Sequence, residues 1–384
     1  MIKSAYIHIP FCEHICHYCD FNKIFIQNQP VDQYLSYLQK EMRNTIEINP
    51  IDSLKTIFIG GGTPTALNER ELGTLMEIIH SELPLTKELI EFAVEANPGD
   101  LTKEKFLILK KAGVNRLSFG VQSFHNERLK MIGRTHRKSD VIRSIQLAKE
   151  IGFENISIDL MYALPGQTLE EFKETLDEAF SHNVQHYSAY SLIVEPKTVF
   201  YNLMRKGKLS LPPQEEEALM YEYLMESMEE HGFHQYEISN FSLQGFESKH
   251  NLTYWNNEDY FGFGAGAHSY MNGRRCANAG PLKKYFQEIN DKGVPYINVH
   301  HVTKHERMEE EIFLGLRKTN GISKAIFKKK FGVNIEDVFA EQIQEQIERG
   351  LLVNKGEQLC LTHQGKLLGN EVFQTFIGVL ESVD

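Results

Sequence analysis

Several things are missing from this chain of 384 residues. No stretch approaches the ~20 consecutive apolar residues needed to cross a bilayer, so no direct membrane insertion is expected. No separate apolar targeting region fits before the first cysteine, twelve residues from the start, and a cytoplasmic location is the expectation. Positive charge is in deficit: 41 lysines and arginines against 52 aspartates and glutamates leave a net charge of −11. That balance argues against a general binder of nucleic acid or of anionic membranes. The one basic run, residues 324–330 with Lys328, Lys329 and Lys330 adjacent, reads as a solvated helix end. There is no internal repeat of fixed period and no low-complexity linker.

Cysteine is scarce and odd in number, with five in all. Three of them crowd into residues 12–19, which excludes a disulfide framework and points to a metal site. Cys276 and Cys360 read as buried or idle thiols. The 41% hydrophobic and 24% charged fractions are those of a globular protein. The length suits one large α/β body with a modest appendage.

What is present is an alternation. Strand-like runs at residues 5–9, 56–60, 89–95, 116–122, 156–162 and 187–194 are nearly continuous in apolar or β-branched residues, as in parallel strands buried on both faces. Helical patterns at 31–46, 69–81, 102–112, 140–151 and 169–182 lie between them. Six strand-then-helix units predict an α/β fold with a partial (β/α)6 TIM-like barrel, and function is expected at the C-terminal ends of its strands. Residues 201–295 read as an extension of the barrel, with a helix at 214–231 followed by aromatic and glycine-rich runs. Within it, Gly262-Phe263-Gly264-Ala265-Gly266-Ala267 lacks the context of a dinucleotide loop and reads as close backbone packing. Residues 296–384 carry helical patterns at 306–318, 323–331 and 335–349, a hairpin-like stretch at 351–362 and one closing helix. They predict a C-terminal winged-helix-like domain after a barrel domain at 1–200.

The sharpest signal is Cys12, Cys16 and Cys19, in Cys-x3-Cys-x2-Cys spacing on a loop after the first strand. Such a loop can wrap three thiolates around one face of a [4Fe–4S] cubane. The fourth iron is then free to chelate the amino and carboxylate groups of S-adenosylmethionine (SAM), with the protein supplying orientation and shielding. A Cys3His zinc site using His14 or His17 is the alternative, although the spacing fits no common zinc ribbon.

With Tyr6-Ile7-His8-Ile9-Pro10-Phe11-Cys12 leading into the cysteines and Gly60-Gly61-Gly62-Thr63-Pro64 ending the second strand, the chain resembles the radical-SAM superfamily. Within that superfamily it resembles the coproporphyrinogen oxidase-like group over nearly its whole length. The resemblance implies that Gly61, Gly62 and Thr63 meet the amino and carboxylate end of SAM. Glu95, Gln122, Arg134 and Asp159 match further SAM-binding positions, with carboxylates suited to ribose hydroxyls and an arginine to a carboxylate. Tyr6 matches a tyrosine near the cluster, with a core aromatic as its alternative reading.

Two departures favour the heme-chaperone branch of this family over its oxidase. Phe21 stands where the oxidase has a fourth cysteine, and the chain begins close to the cluster, without a long extension before it. His250-Asn251-Leu252-Thr253-Tyr254-Trp255 matches that branch's His-Asn-x-x-Tyr-Trp motif. It implies heme contact by the His250 imidazole and by the faces of Tyr254 and Trp255, the chain's only tryptophan. A packed aromatic corner is the alternative. The resemblance further implies heme as ligand, apo-heme respiratory membrane proteins as recipients, and a small electron donor such as a flavodoxin or ferredoxin. Oxygen-independent coproporphyrinogen III oxidation is the second functional reading. An anaerobic heme-degrading radical enzyme is a third, and DNA-binding regulation through the winged-helix-like domain a distant fourth.

Overall fold

A computed structural model of the chain describes residues 2–380. Six strands follow one another with helical crossovers: β1 (Ser4–Ile9), β2 (Thr56–Gly61), β3 (Glu91–Ala96), β4 (Arg116–Gln122), β5 (Asn155–Tyr162) and β6 (His186–Ser191). Each pairs in parallel with the next. The intervening helices are α1 (Val31–Ile48), α2 (Glu69–Glu82), α3 (Lys103–Lys111), α4 (Lys138–Ile151) and α5 (Leu169–Ser181). Capping boxes open α2 at Asn68 with Glu71 and α5 at Thr168 with Glu171. Each satisfies two of the orphan groups at its helix start. The α/β fold with a parallel six-unit core is therefore as the strand-helix alternation predicts.

The expectation of strands apolar on both faces needs correcting. Ile7 and Ile9, Phe92 and Val94, Leu117, Phe119 and Val121, and Ile156, Ile158 and Leu160 point to the helices and share one core with them. Their alternate neighbours Tyr6, His8, Glu95, Ser118, Asp159 and Ser188 line an interior cavity instead. Period-two geometry separates a greasy outer face from a polar lumen. The sheet must also be strongly curved, because side chains from β1 through β6 all line that one cavity. In a flat sheet β1 and β6 would lie roughly 24 Å apart, five spacings of ~4.8 Å.

The sheet does not end at β6. The chain adds β7 (His234–Glu237) and β8 (Asn240–Ser242) beyond it, then returns to the opposite edge. There β9 (Tyr260–Phe263) pairs in parallel with β1, followed by the antiparallel strands β10 (His268–Met271), β11 (Arg274–Asn278) and β12 (Tyr296–His301). The result is a twelve-stranded open sheet in the order β12-β11-β10-β9-β1-β2-β3-β4-β5-β6-β8-β7.

After β12 a second apolar core forms around Ile312, Leu316, Phe327, Phe339 and Phe376. It joins three helices (Lys304–Gly315, Lys324–Phe331 and Ile335–Glu348) to a small sheet of Ile322–Ser323, Gln358–Leu361 and Leu352–Lys355. That is the winged-helix-like arrangement, with a third short strand that the hairpin pattern did not announce and two short helices in place of one at the end. Lys328 and Lys329 sit in the last turn of a helix, and Lys330 pairs with Glu311 at 2.8 Å.

The return of β9 to β1 is fastened from α1 by Glu41, which is fully buried. Its carboxyl accepts the Gly264 N–H at 2.8 Å, the Asn278 amide at 2.7 Å and the Tyr285 hydroxyl. Burial pushes its pKa up from 4.5 to about 7. Between those values the folded chain holds a proton that the unfolded chain has released, so this group's contribution falls as pH rises and is flat above about 7. Urea unfolding of the parent chain from pH 4.5 to 8 is expected to show this decline, about 3 kcal/mol at most. The Glu41→Gln variant, less stable at low pH, should lack that component of the slope.

Candidate functional site

The cysteine loop leaves β1 at its C-terminal end and is closed on itself. Phe11–Cys12 pairs with Ile24–Phe25. The Ile24 N–H donates to the Pro10 carbonyl at 2.8 Å, and the Ile26 N–H to Cys12 at 2.9 Å. Distant segments grip the loop from outside. His17 donates its N–H to the Ile132 carbonyl at 2.9 Å, Phe200 donates to the His17 carbonyl at 3.0 Å, and the Asn22 amide donates to Ala265 at 2.8 Å and Gly280 at 3.1 Å.

Cys12, Cys16 and Cys19 open into one cavity of about 340 Å³. Gly61, Gly62 and Thr63 enter the same cavity from the end of β2, Glu95 from β3 and Gln122 from β4. Asp159 from β5 and Arg134 from the segment before α4 complete it. Residues spread over nearly 150 positions thus meet at the C-terminal ends of consecutive strands. Among the described residues no three His, Cys, Asp or Glu side chains converge on a single metal ion. Three ligands of a cubane bind three different irons and stand wider apart.

Local structure explains each placement. A Cβ on Gly61, whose φ is +111°, would lie 2.4 Å from the His8 ring, and one on Gly62 would lie 2.8 Å from the Phe11 carbonyl oxygen. The glycines let β2 close against the start of the cysteine loop. The Gly62 N–H donates to Ile9 and the Thr63 N–H to Phe11, each at 2.8 Å, while the Thr63 hydroxyl lies 3.6 Å from the Cys12 sulfur. Gln122 follows a register shift in β4 and has φ +67°, a left-handed conformation rare for a residue with a side chain.

Electrostatically the cavity is unfinished. Burial pushes Glu95 up to about 8, with Asp159 adding to the shift, although the Gly61 N–H donates to it at 3.1 Å. Asp159 is raised by burial too, against a 2.9 Å bond from the Ser118 hydroxyl. Arg134 donates to the Tyr18 hydroxyl at 3.1 Å and to Asn97, while its Nε is buried without a partner. Two sheltered acids and an orphaned guanidinium donor suit a ligand carrying both cationic and carboxylate groups.

A second cavity, about 440 Å³, continues into the lumen and shares Phe21, Gly61, Glu95, Ser118, Asp159 and Tyr190 with the first. Tyr6 stands here and not in the cluster cavity, hydrogen-bonded to His8 Nδ1 at 2.9 Å and stacked on Phe58. The floor is α6 (Lys249–Trp255). The Glu91 carboxylate, on the first residue of β3, accepts the N–H groups of Lys249 at 3.0 Å and His250 at 2.9 Å. Thr253 bonds Ser4 at 2.8 Å, so α6 closes the N-terminal end of the barrel.

This geometry bears directly on the heme contact expected of α6. His250 is 1% exposed, and its ring nitrogens are engaged by the Thr56 hydroxyl at 2.9 Å and the Tyr254 hydroxyl at 2.8 Å. Burial holds its pKa down at about 3. A ring held at both nitrogens has no free lone pair for iron unless one bond breaks. Tyr254 borders the lumen, but Trp255 faces away from it, under the Arg317 guanidinium 4.5 Å from the ring centre. The three aromatic members of the motif therefore do not share one surface.

Sequence reading passed over several residues that the fold brings to these cavities. Asn22, Arg116, His186, Tyr190 and His268 carry no local signature, since each sits in an ordinary strand or turn context, and His8 was read only as part of the run leading into the cysteines. Only the period-two alternation against apolar neighbours would have marked the strand residues among them.

The profile of the radical SAM superfamily matches residues 6–179, and that of the HemN C-terminal domain matches residues 302–368. The heme chaperone HemW of Bacillus subtilis is 61% identical over 99% of this chain and 100% of its own length. HemW of Lactococcus lactis is 46% identical over 98% and 97%, and that of Escherichia coli 34% identical over 97% and 98%. Among solved structures, the radical SAM enzyme coproporphyrinogen III oxidase (HemN) from Escherichia coli superposes with a TM-score of 0.86. That alignment covers 99% of this chain and 91% of HemN at 23% identity, a likeness of fold.

The floor helix depends on one carboxylate. Glu91→Ala removes the acceptor of two N–H groups at the start of α6 and leaves Arg116 without the acid 3.9 Å away. A loss of about 3–5 kcal/mol in urea unfolding is expected, together with faster amide exchange in residues 249–255.

Proposed function

The chain belongs to the HemW family within the radical SAM superfamily, and from that membership we propose that it is a heme chaperone holding a [4Fe–4S] cluster and SAM. Heme is its cargo, which it passes to apo-heme respiratory membrane proteins, and reducing electrons come from a flavodoxin- or ferredoxin-like donor. The cytoplasm is the proposed site of action, and no described helix is long and apolar enough to cross a membrane.

One observation carries the cofactor part of this reading: three thiols, a glycine-lined strand end, two sheltered acids and an arginine with an unpaired buried Nε border a single cavity. Cys12, Cys16 and Cys19 would hold the cluster. Gly61, Gly62 and Thr63 would border the amino-acid end of SAM, Arg134 would meet its carboxylate, and Glu95, Gln122 and Asp159 would meet its hydroxyl and amino groups. When bound, the pair supplies one-electron reductive chemistry at the sulfonium. The chain's own contribution is to orient the ligand, to shield it at the strand ends, and to present acids whose raised pKa values fall when a cation arrives.

Anaerobic reconstitution tests both parts. Cys12→Ala, Cys16→Ala and Cys19→Ala are each expected to lose the iron–sulfur absorption and most of the bound iron. With coproporphyrinogen III, SAM and reductant, the intact protein is expected to form no protoporphyrinogen beyond one equivalent, beside an oxidase control that turns over, yet to take up heme and yield it to an apo-acceptor. Multiple turnovers would replace the chaperone reading with the oxidase reading.

A further inference from the structure

Four imidazoles border the lumen cavity: His8, His186, His250 and His268. Three of them are committed to the protein. His8 is 5% exposed, with Nδ1 on the Tyr6 hydroxyl at 2.9 Å and Nε2 on the Asn22 carbonyl at 2.7 Å. His186 is 1% exposed, bonded to Ser157 at 2.7 Å and Tyr236 at 2.8 Å. His250 is bonded through both nitrogens to Thr56 and Tyr254. His268 differs, since it is exposed and opens β10 at the rim of the cavity.

The backbone beneath His268 is held firmly. A Cβ on Gly262 would lie 1.9 Å from the His268 carbonyl oxygen, so β9 and β10 touch main chain to main chain there. Two residues earlier, a Cβ on Gly266 would meet the Asn22 amide at 2.6 Å, and Asn22 donates to Ala265 at 2.8 Å. Phe21, the neighbour of Asn22, borders the same cavity and is 60% exposed. Phe21 and His268 thus follow from the two segments that meet at this tight contact, and both border the cavity. Tyr190, 43% exposed, adds a second flat face to the same cavity.

We propose that His268 is the axial ligand through which this chain holds heme iron, with the macrocycle seated at the cavity mouth against Phe21 and Tyr190. The inference rests on the heme-chaperone reading above and names the site within it. An iron porphyrin needs one imidazole nitrogen with an open lone pair and flat apolar surface for the ring. Of the four imidazoles bordering the lumen, His268 meets the first need without breaking a buried hydrogen bond. The role also accounts for a large exposed aromatic at Phe21, directly beside the cluster loop.

Heme titration into the cluster-reconstituted protein, followed by Soret absorption and EPR, separates the possibilities. His268→Ala is expected to weaken heme binding by about 10-fold or more, while His250→Gln stays within about 2-fold of the parent chain. The imidazole-ligated spectrum should disappear in His268→Ala and return on adding free imidazole. Phe21→Ala should weaken binding but leave the ligand signature intact. Cluster iron and thermal unfolding serve as controls, and His268 lies on the surface. A His268→Ala protein with the parent affinity and spectrum overturns the assignment and leaves heme binding standing. Failure of the parent protein to take up heme overturns the chaperone reading and this site with it.

Discussion

Main chain packed directly against main chain, between the first strand and residues 262–266, is the contact on which the cluster end of this protein depends. β9 lies parallel to β1, and a Cβ on Gly264 would come within 2.5 Å of the His8 carbonyl oxygen. The Tyr34 hydroxyl bridges the two segments, donating to His8 at 2.6 Å and accepting from the Ala265 N–H at 3.2 Å. Asn22 then ties the cysteine loop to the same turn. The loop carrying the three thiols is therefore positioned from a segment about 250 residues away, and glycine is required there because any larger residue would separate the backbones.

From that anchorage the barrel acquires two unlike ends. At the N-terminal end α6 plugs the lumen through Glu91, Thr56 and Ser4, all first residues of strands. At the other end the strand termini open into a cavity where burial holds both acids above ordinary carboxylate values, although Arg134 draws each of them down. Burial that is only partly compensated is costly, and a further positive charge beside these acids would lower that cost. The C-terminal body is fastened to the floor and to the β7–β8 hairpin. Arg317 stacks on Trp255, Lys318 reaches Asn256 at 2.7 Å, and the Ile238 N–H donates to the Arg317 carbonyl at 3.1 Å. The His-Asn-x-x-Tyr-Trp segment is thus a strut between lumen and C-terminal body.

Much of the fold was legible from the chain. Six apolar runs alternating with amphipathic helices are a local pattern with one economical solution, and the cysteine spacing and the Gly-Gly-Gly-Thr-Pro run are short enough to be read in place. The remaining strands of the sheet were not, because β7 to β12 are short and follow no crossover rhythm, and the two that join them to the six-strand core, β8 on β6 and β9 on β1, find those partners far away in the chain. The lumen's polar lining was hidden as well, since isolated serines and histidines between apolar residues look alike whether they face water, core or cavity.

The sequence by itself determined the order of the six strand-helix units, the clustering of three thiols, and the glycine and acid positions at strand ends, since those follow from periodicity and from spacing within a few residues. Only the tertiary structure decided which histidine is free. His250 stands in the more suggestive motif, yet Thr56 and Tyr254 occupy both its nitrogens. His268 follows a plain glycine turn at the start of β10, yet it is exposed at the cavity rim. An imidazole's availability depends on which hydrogen-bond partners the fold brings to it, and those partners come from residues distant in the chain.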